Sequence, residues 1–129
     1  MYNSANHTTY SCKYHVVFCP KFRRPVLTDG VDTRLKEILN SLAKENNVNI
    51  IEMEVMPDHV HLLMEIFPNV APLEIIKHFK RKSSGILKKE FPSLRTRIPN
   101  LWTRSCFIAT VGSVSLETVK SYIENQKRS

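Results

Sequence analysis

The sequence lacks an apolar run approaching the roughly 20 residues that a helix needs to cross a bilayer. It also lacks the charged-then-apolar leader of a secreted protein at Met1. The three cysteines are an odd number without a C-x-x-C pair, which argues against a disulfide-stabilised secreted domain. Repeats, low-complexity stretches and linkers are absent too. We therefore expect a single domain, residues 1–129, located in the cytoplasm, with the polar residues 1–9 as a loose arm.

Acidic residues are nearly absent from one segment. The chain carries a net charge of +7, and residues 77–97 hold eight basic residues and one acid. In the other 108 residues, 11 basic and 11 acidic side chains give no net charge. A local excess of this kind is typical of a polyanion-binding surface, although a solvated helix face would look the same. The candidate DNA-binding residues are Lys77, Lys80, Arg81, Lys88, Lys89, Arg95 and Arg97.

Hydrophobic periodicity predicts alternating strands and helices. The predicted strands are residues 10–19, 48–56, 59–67 and 104–111, and the predicted helices are residues 31–46, 71–89 and 115–127. Pro92 and Pro99 bracket a predicted loop. The order of elements indicates an α+β fold of the ferredoxin-like (RRM-like) βαββαβ type, with a C-terminal helix added. Its two helices would cover one face of the sheet and leave the other open.

The predicted strand 59–67 carries two histidines on one face. Side chains alternate across a strand, so the even positions, which are all apolar, should face the helices. His59 and His61 would then stand together on the open face, with their Cα atoms roughly 6–7 Å apart. Two imidazoles at this spacing can bind one metal ion. An H-x-H pair alone is a weak signal, and an incidental pair remains the alternative.

The C-terminal helix brings a tyrosine close to an amide. Leu116, Val119 and Ile123 form its apolar stripe, and Tyr122 and Gln126 lie one turn apart on the flank of that stripe. A tyrosine in this place could simply fill the edge of the core. Together with the histidine pair, however, these residues have the chemistry for metal-assisted phosphoryl transfer by a tyrosine nucleophile. Imidazole and amide ligands suit Mg²⁺ or Mn²⁺, and zinc is also compatible.

Four segments together resemble the single-tyrosine HUH transposases of small insertion sequences that move as single strands. They are KYHVVFCPKFRRPVL, VMPDHVHLLMEI, LWTRSCFIATVGSVS and VKSYIENQ, and the resemblance runs from about Tyr10 to Gln126. It implies that His59, His61 and Gln126 bind the metal and that Tyr122 is the nucleophile.

The resemblance also implies an activity and an assembly. The activity is the cleavage and rejoining of single-stranded DNA through a 5′-phosphotyrosine intermediate with a free 3′-OH. The substrate carries hairpins near the element ends, and rejoining needs no ATP. The assembly is a homodimer with composite active sites, in which one subunit supplies the histidines and the other supplies the tyrosine helix.

Three other functions fit parts of the pattern. A non-catalytic single-strand or RNA-binding domain of the RNA-recognition-motif kind would stack bases on sheet aromatics, but the sequence has no such aromatic run. A replication or relaxase-type HUH nickase would use the same chemistry for another task. A metal-dependent hydrolase with a water nucleophile would not need Tyr122.

Overall fold

The computed structural model describes residues 3–5, 8–10, 12–97, 100–111 and 116–126. Near the N-terminus, β1 (Asn3–Ala5) pairs antiparallel with β2 (Thr8–Tyr10) in a two-stranded sheet. The sequence had led us to expect a loose arm over residues 1–9. The β-branched and aromatic residues of Thr8–Tyr10 favour extended backbone, which accounts for the second strand.

The main sheet has four antiparallel strands. They are β3 (Cys12–Phe18), β4 (Asn49–Met56), β5 (His59–Ile66) and β6 (Phe107–Thr110). Their spatial order is β4-β5-β3-β6, so the first and third strands in sequence lie in the centre. This is the strand order of a ferredoxin-like sheet, and it confirms the predicted fold class.

Two long helices cover one face of this sheet. α1 (Val31–Glu45) begins after Gly30, whose φ of +97° suits glycine, and α2 (Pro72–Glu90) begins with a proline in its first turn. Both helices bury their apolar stripes against the sheet. A short helix, α3 (Pro92–Arg97), occupies residues that we predicted as loop. None of the helices in the described part of the chain is long and apolar enough to cross a membrane.

The two faces of β5 differ as the alternation predicts. Val60, Leu62 and Met64 are completely buried in the core between sheet and helices. His59 and His61 are partly buried and belong to the opposite face. That face carries the last helix, α4 (Leu116–Asn125), which packs over part of it. The candidate functional residues therefore lie on the sheet face that α1 and α2 leave uncovered.

Candidate active site on the open sheet face

The predicted histidines lie side by side with a third imidazole. In the register of the central strands, His61 pairs with Val17 and Leu63 pairs with His15. His15 therefore lies diagonally from His61, with its Nδ1 3.2 Å from Nε2 of His61. One of these nitrogens must carry a hydrogen and the other accept it. Burial, followed by the charge of His15, lowers the pKa of His61, which favours the neutral form that binds metals.

Sequence reasoning missed His15, although its signal was present. Val16 and Phe18 are buried among the core residues, so alternation places His15 and Val17 on the other face. In a ferredoxin-like sheet the first and third strands are neighbours, so this strand lies beside the His-x-His strand and the imidazoles come together.

His59 is oriented by the residue before it. Its Nδ1 donates a hydrogen bond to Oδ1 of Asp58 at 2.8 Å. The other carboxylate oxygen of Asp58 accepts from Nε of Arg23 at 2.8 Å. A carboxylate that fixes one nitrogen of a histidine leaves the other nitrogen available as a ligand, an arrangement common around metal sites.

Helix α4 packs on the open face of its own chain. Val119 is buried against Val17 and Cys19, and the rings of Tyr122 and Phe107 lie 5.5 Å apart. Ile123 packs against the same cluster. Of the predicted apolar stripe, Val119 and Ile123 are in this contact, and the side chain of Leu116 lies outside the described part of the structure.

One hydroxyl group joins Tyr122 to Gln126. Oγ of Ser105 donates to Oε1 of Gln126 at 3.0 Å and lies 3.2 Å from Oη of Tyr122. A serine has a single hydroxyl hydrogen, so in this arrangement Tyr122 donates to Ser105. Tyr122 on α4 and Gln126 directly after it thus share one hydrogen-bond partner, and Ser105 is an additional candidate site residue that the sequence did not reveal.

Burial also affects the acidity of the tyrosine. It raises the pKa of Tyr122 to about 12, while the hydrogen bond with Ser105 acts in the opposite direction. The phenol is therefore protonated at neutral pH. Any attack by Tyr122 must be accompanied by loss of its hydrogen.

Lys80 holds the loop that presents Ser105. Its ammonium donates to the carbonyl oxygens of Thr103 at 2.6 Å and of Ser105 at 3.0 Å. Burial lowers the pKa of Lys80. We predicted Lys80 as a DNA-binding residue, and the structure shows that its ammonium is also committed to the backbone of this loop.

A cationic cavity of about 400 Å³ lies beside the same loop, between α2 and residues 100–104. We call it the basic groove. Its charged lining residues are Lys21, Lys77, Lys80, Arg81 and Arg104. Three of the predicted DNA-binding residues therefore converge here, joined by Lys21 and Arg104, which the charge count over residues 77–97 did not include.

The remaining predicted DNA-binding residues do not line the basic groove. Lys89 and Arg95 are exposed and Lys88 is partly buried. The side chain of Arg97 lies outside the described part of the structure.

The site residues form two groups, one on the sheet and one on the helix. His59 and His61 stand on β5, while Tyr122 and Gln126 are joined by Ser105 at α4. Arg23 connects the groups, because it contacts Asp58 and also donates to the carbonyl oxygen of Ile123 at 3.2 Å. Among the described residues, no group of three or more His, Cys, Asp or Glu side chains could hold a metal. An ion bound by the histidines would therefore need the amide oxygen of Gln126 or water.

Sequence comparison agrees with the resemblance. The family described as "Transposase IS200 like" matches residues 8–126. The ISDra2 transposase TnpA of Deinococcus radiodurans is 38% identical over 119 residues, covering 91% of this chain and 85% of the relative. The transposase for insertion sequence element IS200 of Salmonella typhimurium is 35% identical over 125 residues, covering 95% and 82%.

Two solved structures are similar to this one. A crystal structure of a Deinococcus radiodurans protein assigned as a transposase superposes with a TM-score of 0.88 at 33% identity, covering 96% of this chain and 97% of the other. A REP-associated tyrosine transposase, solved with a REP hairpin bound, has a TM-score of 0.60 at 10% identity, covering 93% and 68%. The second likeness concerns the fold alone.

Proposed function

The chain belongs to the IS200-like transposase family, and from this premise we propose that it cleaves and rejoins single-stranded DNA with Tyr122 as nucleophile. One observation carries the proposal. A single hydroxyl, that of Ser105, holds both the phenol of Tyr122 and the amide of Gln126 on a helix packed against the sheet face of the histidines. This arrangement supports the proposal, because the side chains assigned as nucleophile and ligands lie on the same side of the sheet.

The chemistry is an exchange of phosphate esters. The oxygen of Tyr122 forms a bond to phosphorus, the bond from phosphorus to the 3′ oxygen breaks, and that oxygen leaves as a free 3′-OH. During the attack the phenol loses its hydrogen to solvent water and the departing 3′ oxygen takes one up from water, so no proton is consumed overall, while the hydrogen bond to Ser105 orients the phenol beforehand. The DNA is left joined to the protein by a 5′-phosphotyrosine. A 3′-OH that attacks this ester reverses the step and rejoins DNA, and because the ester is conserved no ATP is consumed.

The residues present fit a divalent metal ion. His59 has the outer carboxylate contact of a metal ligand, and burial favours neutral His61. His59, His61 and the amide oxygen of Gln126 would hold Mg²⁺ or Mn²⁺ together with water. When bound, the ion supplies a Lewis acid for the non-bridging phosphate oxygens. The hydrogen bond from Ser105 fixes which atom of the Gln126 amide is the acceptor.

The labelled product is the direct test of this chemistry. We expect a hairpin substrate labelled on the 3′ side of the cut to become covalently attached to the protein, and the same substrate labelled on the 5′ side to yield free DNA ending in 3′-OH. Denaturing gels separate the two. A label from the 5′ side that stays on the protein would contradict the polarity, and cleavage without any adduct would indicate water as the nucleophile.

The basic groove supports a path for the DNA backbone. Its cations lie beside the loop of residues 103–105, whose Ser105 contacts the nucleophile. A phosphodiester held there would lead directly to Tyr122. We propose that the groove binds the single-stranded DNA close to the cut and that the wider basic segment contacts the hairpin.

We expect the double variant Lys77→Ala/Arg81→Ala to weaken DNA binding and flatten its salt dependence. Each lost phosphate contact lowers the log–log slope of affinity against salt by about 0.7–0.9. The measurement is a binding titration at several salt concentrations. Lys36→Ala/Lys44→Ala removes the same charge from exposed positions of α1 and is the matched control. Equal slopes in both variants would mean that the groove does not contact phosphates.

We also propose a homodimer with composite sites. In the described part of the structure, α4 docks on its own sheet through the side chains of Val119, Tyr122 and Ile123. The same apolar docking surface is present on a second copy of the chain, so a two-fold assembly can exchange the helices symmetrically. Each helix would then present its tyrosine to the histidines of its partner.

A further inference from the structure

Arg23 contacts the sequence neighbours of both groups of site residues, Asp58 beside His59 and Ile123 beside Tyr122. Its Nε lies 2.8 Å from Oδ2 of Asp58, and its Nη1 lies 3.2 Å from the carbonyl oxygen of Ile123 and 3.3 Å from Oε1 of Glu124. Only 14% of the side chain is exposed. We propose that Arg23 is a positioning residue that couples the nucleophile helix to His59 through Asp58. This inference rests on the proposed function, because it assigns Arg23 to the same site.

On the sheet side, the coupling acts through the orientation of one imidazole. Asp58 uses one carboxylate oxygen for Arg23 and the other for Nδ1 of His59. Rotation of the carboxylate away from Arg23 would therefore also move the acceptor that holds His59. Partners in this outer position orient a metal-binding histidine and fix its tautomer.

On the helix side, Arg23 contacts the last turn of α4. The helix runs from Leu116 to Asn125, so the carbonyl of Ile123 lies in the last turn, where side-chain donors commonly satisfy helix carbonyls. A cation at this end also interacts favourably with the helix dipole. Ile123 directly follows Tyr122, so the contact fixes the height of the tyrosine along the helix axis.

The backbone around Arg23 fixes the point from which its side chain extends, independently of these partners. Phe22 and Arg23 have φ angles of +58° and +51°, in the left-handed region that L residues avoid. The turn is fixed by hydrogen bonds from N of Lys21 to O of Leu101 at 2.8 Å and from N of Arg23 to O of Pro20 at 2.8 Å. A strained conformation that its surroundings impose is a frequent feature of functional sites. Here it directs one arginine between the sheet and the helix.

The two directions of contact require arginine. The guanidinium is a planar fork whose separate N–H groups can donate to Asp58 and to Ile123 at once. A lysine presents its three donors from a single nitrogen, so it cannot reach Asp58 and Ile123 through two separate nitrogens as Arg23 does. Arg23→Lys therefore keeps the charge but removes the coupling, and Arg23→Gln removes both.

The first test uses amide hydrogen exchange on the full protein without DNA. We expect Arg23→Gln and Arg23→Lys to speed exchange in α4 and to leave α1 and α2 unchanged. Arg24→Gln, which removes the same charge from the exposed neighbour, should leave α4 unchanged. Wild-type exchange of α4 in Arg23→Gln would overturn the proposal. Faster exchange in all helices and strands of both Arg23 variants would also overturn it, because Arg23 would then stabilise the whole fold and not α4 in particular.

The second test separates coupling from independent damage. We expect Arg23→Gln and Asp58→Asn each to lower the cleavage rate at saturating DNA by about 10–100-fold, with hairpin affinity unchanged. The double variant should be no slower than the slower single variant, because both changes break one connection. If the rate losses of the two single variants multiply in the double variant, the proposal is overturned. If the wild type forms no tyrosine adduct, the proposed function fails, and the exchange experiment still decides whether Arg23 anchors α4.

Discussion

Replacing Tyr122 by phenylalanine is expected to abolish cleavage and the covalent adduct while DNA binding persists. The substitution removes only the phenol oxygen, and the ring can keep its contact with Phe107. The lost hydrogen bond to Ser105 should cost about 1 kcal/mol of stability or less. Removing a covalent nucleophile should lower the cleavage rate on the order of 10⁴-fold or more. Single-turnover cleavage of a labelled hairpin substrate, with parallel binding titrations, measures both effects.

Tyr14→Phe is the matched control for this experiment. Tyr14 packs against the core on the helix-covered side of the sheet, so its phenol oxygen is remote from the site. Its removal should leave cleavage at the wild-type rate. Robust cleavage by the Tyr122 variant would eliminate Tyr122 as nucleophile and favour a water-using hydrolase on the same fold.

The loss of either β5 histidine is expected to have a comparably large effect. His59→Ala and His61→Ala should each weaken Mn²⁺ binding and abolish metal-dependent cleavage, and EDTA should do the same to the wild type. A Lewis acid contributes several kcal/mol to stabilising transition-state charge, which corresponds to roughly 10²–10⁴-fold in rate. Hairpin binding should survive, because the basic groove and the wider basic segment proposed to contact the hairpin are both intact. Mn²⁺ affinity can be followed by electron paramagnetic resonance without any activity assay.

His78→Ala removes an imidazole from α2 and should leave Mn²⁺ affinity unchanged. Unchanged affinity in both β5 variants, or full activity in EDTA, would rule out the assigned ligands.

The same variants also test whether the sites are shared between subunits. A His59→Ala/His61→Ala chain and a Tyr122→Phe chain should each be inactive. In a mixed dimer with exchanged helices, one of the two sites would combine wild-type histidines with a wild-type tyrosine. Co-expressed heterodimers that bind DNA without cutting it would contradict exchange.

The repeating elements of the fold could be predicted because their signals are local. Alternation along 59–67 separated Val60 and Leu62 from His59 and His61, and the structure buries the first pair and leaves the second on the open face. The one-turn spacing of Tyr122 and Gln126 was likewise visible in the sequence. α3 was predicted as a loop, because six residues between two prolines are too few to show helical periodicity.

The connections within the site could not be predicted, because they depend on tertiary contacts. Ser105 lies in an irregular segment whose position is set by Lys80, a residue 25 positions away along the chain. The left-handed conformation of Phe22 and Arg23 carries no glycine or asparagine signal. Only the folded chain shows that this turn places a guanidinium between Asp58 and α4.

The shortness of α4 has a consequence for the proposed site when the helix is not packed against a sheet. It has ten residues, fewer than the roughly 12–15 that an isolated helix needs to be even marginally stable in water. Its order therefore depends on the apolar platform formed by Val17, Cys19 and Phe107, whether on its own chain or on another copy. Without this apolar contact, α4 unfolds and the side chain of Tyr122 is exposed to solvent. On the proposed function, a chain whose α4 is undocked has no assembled site for cleavage.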